Sequence, residues 1–186
     1  MLLTIMLAVL ISQSPMPEGK VQELRDELRV VQARLERAQH GTTIRVNAAR
    51  AAELEQELTV LQSAGDLAAL EGSWKPTFAK RGDLETSEHD LERRKLTIRN
   101  SRYSAWVPRT PDFNLVEIRL DATKSPKHLD LVVVEGPNIG QTQLGIYELQ
   151  GDELKVCYGF KSRPTQFEAR IDDWNAFVVT YRRLKP

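Results

Sequence analysis

The chain has 186 residues, room for one domain and an appendage. Its 26 basic residues match 26 acidic ones, and the balance is local: seven against eight over 18–62, nineteen against eighteen over 66–186. Without a basic face, a nucleic-acid partner is not expected, and the single cysteine, Cys157, excludes an internal disulfide.

The first segment, MLLTIMLAVLIS, is apolar from Leu2 to Ile11 save Thr4. Ten residues are too few for a stable transmembrane span, which takes about twenty. They suit the apolar region of a signal peptide, so residues 1–15 read as a signal peptide or short apolar leader, and the protein as exported to the periplasm or cell envelope. No Lys or Arg precedes the run, and SQSPMP is a poor cleavage site.

After Pro15-Met16-Pro17, Val21, Leu24, Leu28, Val31, Leu35 and Ala38 recur at alternating three- and four-residue steps. That spacing is the apolar seam of a coiled coil. It resumes at Ala51, Leu54, Leu58 and Leu61 after the weak helix formers Gly41, Thr42, Thr43 and Ile44. Leu35 and Leu58 lie two residues out of heptad register, so the pattern breaks near 40–43. Either the chain turns there, with Thr42 or Thr43 capping a second, antiparallel helix, or one long helix continues with a discontinuity. Both versions place a helical segment over 18–64, ended by Ser63-Ala64-Gly65-Asp66. Its narrow leucine stripe needs a partner: the second helix, the rest of the chain, or another copy, which makes 18–62 a candidate surface for self-association or a protein partner.

Beyond residue 68 the period becomes two. Val116, Ile118 and Leu120 alternate with Glu117, Arg119 and Asp121, as do Phe177, Val179 and Tyr181 with Val178, Thr180 and Arg182. Such alternation predicts strands with one dry and one wet face. Turn clusters separate about eight of them, near 71–80, 94–99, 102–107, 114–121, 128–134, 142–149, 154–160 and 166–182, the last read as one strand or two. The expected class is α+β: a coiled-coil-like helical segment, then a mainly antiparallel β-barrel over 68–186. Eight strands close a barrel with room for side chains or one small ligand. In LGIYELQGDELKVCYGF, Gln150-Gly151-Asp152-Glu153 reads as the loop of a hairpin. Tyr147, Leu149, Leu154, Val156 and Tyr158 then point inward, and Cys157 points to the opposite face.

LEGSWK at 70–75, SPKHLDL at 125–131, LGIYELQGDELKVCY at 144–158, RPTQFEA at 163–169 and FVVTYRR at 177–183 resemble the planctomycetal lipocalin-like domain, a family of unknown function. The resemblance covers 70–186 and implies a lipocalin-like β-barrel, often in exported proteins, with no known activity. The charged segment FAKRGDLETSEHDLERRK departs from a clean hairpin and implies a short helix or long loop. Gly72-Ser73-Trp74 also resembles the G-x-W of lipocalin barrels. By that resemblance Gly72 and Trp74 close the barrel base under an arginine of the last strand, Arg182 or Arg183.

No constellation of catalytic or metal-ligating residues stands out in the sequence. His40, His89 and His128 lie in three regions and lack metal-ligand spacing. A Cys157–His128 nucleophile conflicts with the hairpin placement. Acidic pairs such as Asp172-Asp173 read as solvated turns. No nucleotide or hydrolase fingerprint occurs. The expectation is therefore a non-enzymatic protein with no catalytic residue, metal or cofactor. Its barrel would bind a small apolar ligand through Trp74, Val116, Ile118, Leu131, Tyr147, Val156, Phe167 and Tyr181. The alternative is a structural protein that oligomerises through its coiled coil, the barrel being filled by those same side chains.

Overall fold

The computed structural model describes residues 18–38, 41–106, 115–159, 161–169 and 176–185; the apolar leader lies outside them. The chain divides into two compact units. One holds the N-terminal part to Ala68 with Asp121–Thr123; the other holds Ala69–Leu120 with Lys124–Pro186.

The first unit contains α1 (Glu18–Arg37) and most of α2 (Gly41–Leu70). Their apolar stripes form one cluster: Val21, Leu24, Val31, Ala51, Leu54, Leu58 and Leu61 are buried, with Leu28 and Leu35 packed against them. Leu24 and Leu54 lose essentially all contact with solvent. The guanidinium of Arg50 on α2 donates to Glu27 Oε1 on α1 at 2.7 and 3.0 Å. Residues flanking the break at similar distances along the chain therefore meet, as in an antiparallel hairpin, and the two-helix version of the sequence reading holds. Two local expectations do not. Helix α2 begins at Gly41, so Thr42 and Thr43 lie within its first turn and do not cap it. Nor does the helix stop at Ser63-Ala64-Gly65-Asp66; it runs to Leu70. One interior glycine costs a helix only about 1 kcal/mol, too little to end a helix held by other contacts. Among the described residues, no helix is long and apolar enough to cross a membrane.

The second unit is a closed antiparallel barrel. Its strands are β1 (Gly72–Arg81), β3 (Lys95–Arg99), β4 (Arg102–Trp106), β5 (Leu115–Asp121), β6 (Lys127–Glu135), β7 (Thr142–Gln150), β8 (Glu153–Gly159) and β9 (Ala176–Leu184). They follow one another in chain order, and β9 pairs back onto β1 from Ser73↔Leu184 to Arg81↔Phe177. Closure leaves these eight strands no long open edge. A two-residue strand, β2 (Leu84–Glu85), hairpins off β1. The charged segment after it folds into the short helix α3 (Glu88–Glu92), with Ser87 as N-cap accepting from the Asp90 N–H.

Turn chemistry sets the register. Gln150 pairs with Glu153, so the β7–β8 loop is two residues, Gly151-Asp152, rather than four. Gly151 takes φ +58 at the first turn position, as a type II′ turn requires. Asn100 and Ser101, both at positive φ, form the β3–β4 turn without glycine, a type I′ signature. Of the expected strand over 166–182, the part from Ala176 on lies in β9, and 166–169 carry no strand. Residues 161–169 carry no strand and pack instead against the barrel's outer face. Arg163 holds this segment down, donating to Gly145 O at 2.6 Å and to Asp130 Oδ2 at 3.0 Å.

Candidate functional site

Each strand alternates, so one set of side chains fills the barrel and the other covers it. At one end the filling is complete. Trp74, Leu154 and Val156 are 0% exposed and Tyr147 is 1% exposed. Trp74 Nε1 donates to Leu70 O at 2.9 Å, so the indole both plugs the barrel and takes up a carbonyl from the last turn of α2. The Arg183 guanidinium lies 4.0 Å from the centre of the Trp74 ring. It also donates to Glu71 O at 2.7 Å and to Ala69 O at 2.5 Å. A cation on the ring face and two acceptors in its plane engage the fork from both directions. Gly72 takes φ +129, a conformation that L side chains rarely adopt, and a Cβ there would make a tight contact, 3.2 Å, with Arg183 Nη1. Of the two candidate arginines, Arg183 is the one at the base. Arg182 alternates to the outer face and is exposed, so its assignment to the closure is corrected: one residue along a strand reverses the face.

At the other end the packing is incomplete. A cavity of about 700 Å³ is lined by Leu131, Tyr103, Tyr158, Tyr181 and Val179, with Arg94 and Lys95 among its charged neighbours. A second space of about 430 Å³ shares Tyr103, Leu131 and Gln143 with it and reaches Val116. Gly145 makes room for Tyr158, its paired residue on β8: a Cβ there would stand 3.2 Å from the Tyr158 ring and 2.9 Å from Leu129 O. Tyr158 OH donates to Tyr103 OH at 3.3 Å, and Tyr181 is hydrogen-bonded to the same Tyr103. Burial, above all, pushes the Tyr158 and Tyr181 phenols well above the usual tyrosine range. Tyr181 adds to the shift at Tyr158, where the hydrogen bond to Tyr103 opposes it; Tyr103 adds to the shift at Tyr181, where Arg94 opposes it. The hydroxyls therefore stay protonated and able to donate.

The proposed lumen residues divide accordingly. Leu131 and Tyr181 line the larger cavity and Val116 the smaller. Trp74, Tyr147, Val156 and Ile118 are buried filling. Phe167 is not in the lumen at all. It packs outside, against Ile146, Cys157, Ala176 and Val178, with Lys155 Nζ 5.3 Å from its ring centre. Its place in RPTQFEA suggested a strand, but the 161–169 segment is a flap without a strand's alternation. Sequence reasoning also passed over Tyr103, Tyr158, Val179 and Arg94 as cavity residues. For Tyr158 and Val179 the inward phase was readable from the alternation; for Arg94, just before β3, no periodic signal existed.

Cys157 is 0% exposed, its Sγ lying 3.9 Å from Glu168 O. Register places His128, Ile146 and Cys157 in one outer row, with Ile146 on the intervening strand. Two strand spacings put their backbones about 10 Å apart, so the register does not make the two residues direct neighbours. Among the described residues, no three His, Cys, Asp or Glu side chains gather as a metal site.

No family model, curated protein or solved structure matches the chain. What it does must therefore be argued from the barrel's own geometry.

Proposed function

We propose that the barrel is a non-enzymatic binding module whose lumen takes one small apolar or amphipathic molecule. The observation that carries this reading is the asymmetry of the filling: a dry plug of Trp74, Tyr147 and Val156 at one end, about 700 Å³ of space at the other. That volume lies within the roughly 300–1,000 Å³ of small-molecule sites. Aliphatic and aromatic walls with a few hydroxyls suit a ligand with an apolar body and one polar group. The resemblance of 70–186 to the planctomycetal lipocalin-like domain implies a barrel of this kind but no known ligand, and the apolar leader supports an exported protein. A polarity-sensitive probe, N-phenyl-1-naphthylamine, tests it. Titration of the full chain is expected to give saturable, one-to-one emission that Leu131→Trp abolishes without lowering the melting temperature. No saturable emission, or emission indifferent to Leu131→Trp, would refute a binding lumen.

Oligomerisation through a coiled coil is the second reading. The leucine seam that motivated it is covered within the hairpin by the chain's own second helix, so this reading has lost its main surface.

A further inference from the structure

Building on the binding reading above, we propose that the lumen selects an anionic amphiphile, a monocarboxylate whose head lies against Arg94 and whose hydrocarbon or aromatic body lies against Leu131 and Val179.

Three observations converge. Among the described residues that line the cavity, Arg81, Arg94 and Lys95 are cations and none is acidic, although the chain as a whole carries no net charge. Arg81 and Lys95 are themselves exposed and Arg94 is half-buried; cations bordering a space without a carboxylate among them favour an anion there. Next, Arg94 Nε is buried and has no hydrogen-bond partner. Native proteins pair nearly all such groups, and with Nε itself closed off from solvent a ligand's acceptor would reach this guanidinium through its terminal nitrogens. A carboxylate fits best, because its two oxygens match the planar fork of the guanidinium. Finally, Tyr103, Tyr158 and Tyr181 are joined by their hydroxyls on the cavity wall, and neutral phenols donate to an anion as readily as to one another. Arg94 lines the same cavity as the three tyrosines, so the guanidinium and the phenols border one space. Leu131 and Val179 extend the wall beyond them with apolar surface.

The test compares three probes of equal chain length on the full chain by titration calorimetry at pH 7.5: dodecanoate, dodecanol and dodecyltrimethylammonium. Dodecanoate is expected to bind at least tenfold more tightly than dodecanol, and the cationic probe more weakly than either. Arg94→Gln should weaken dodecanoate at least tenfold and change dodecanol less than twofold, while Arg94→Lys retains part of the preference. A measurement without any substitution guards against a misfolded variant: on wild-type protein the preference for the acid over the alcohol should vanish as the ligand carboxyl is protonated below about pH 5. If acid and alcohol bind alike at pH 7.5, the lumen remains a binding site and the anion preference is overturned. If none of the three probes binds, and N-phenyl-1-naphthylamine does not either, the binding reading itself falls.

Discussion

Replacing Arg183 should unlock the base of the barrel. The guanidinium is three-quarters buried, its side chain 24% exposed. It stacks on Trp74, worth about 1 kcal/mol in this setting, and makes two hydrogen bonds to carbonyls, each about 1.5 kcal/mol because the donor is charged. Its ion pair with Asp152, at 3.4 Å, adds little because that carboxylate is 55% exposed. Arg183→Met should therefore destabilise the barrel by about 4 kcal/mol, for a chain of this size roughly 10 °C in melting temperature. Arg183→Lys, which keeps a cation over the ring and loses the fork, should cost about half as much. Arg182→Met, one residue away on the outer face, should stay within about 0.5 kcal/mol. All three tryptophans lie beyond residue 70, so urea unfolding followed by tryptophan fluorescence reports on the barrel and not on the helices. Equal losses for Arg182→Met and Arg183→Met, or a loss under about 1 kcal/mol for the latter, would show that the stack and the carbonyl contacts do not hold the base shut.

Three further outcomes are expected. Tyr158 and Tyr181 have their proton affinity raised by burial, so the folded state holds protons that the unfolded chain releases near pH 10. Their stabilising contribution is complete below about pH 10 and is lost as pH rises above it, by at most about 1.4 kcal/mol per pH unit for each group; urea midpoints from pH 8 to 12 should fall for wild type and less steeply for Tyr158→Phe. Cys157 should react with a thiol reagent at least a hundredfold more slowly in native protein than in urea, and Phe167→Ala should speed the native reaction by uncovering the outer cluster; native labelling as fast as in urea would contradict the packing. Leu54→Ala, at a fully buried seam position, should lower helical stability by about 2–5 kcal/mol, read from circular dichroism at 222 nm.

Periodicity explains both what could be read in advance and what could not. The three-four spacing of Val21, Leu24, Leu28 and Val31, and the two-residue alternation around Ile118 and Val179, are local patterns. A helix or strand repeats them whatever it packs against. The α+β order, the apolar seam of the helical segment and the inward phase of Tyr147, Val156 and Tyr158 were therefore present in the amino-acid sequence alone, whereas the choice between one long helix and a helical hairpin was not. So was the outward phase of Cys157, because a hairpin fixes the relative phase of two strands.

Everything that depended on distant parts of the chain meeting was decided by the tertiary structure. Helix α2 outruns Gly65 and ends where its last carbonyls meet Trp74 and Arg183. Arg183 rather than Arg182 closes the base because the β1–β9 register, more than a hundred residues apart in sequence, sets which face each occupies. Phe167 lies outside because the segment that carries it is pinned by Arg163 to Asp130 and Gly145, neither of them its neighbour in sequence. The cavity exists because the side chains at one end do not add up to the volume that barrel closure encloses, and enclosed volume is a property of the assembled ring rather than of any one strand.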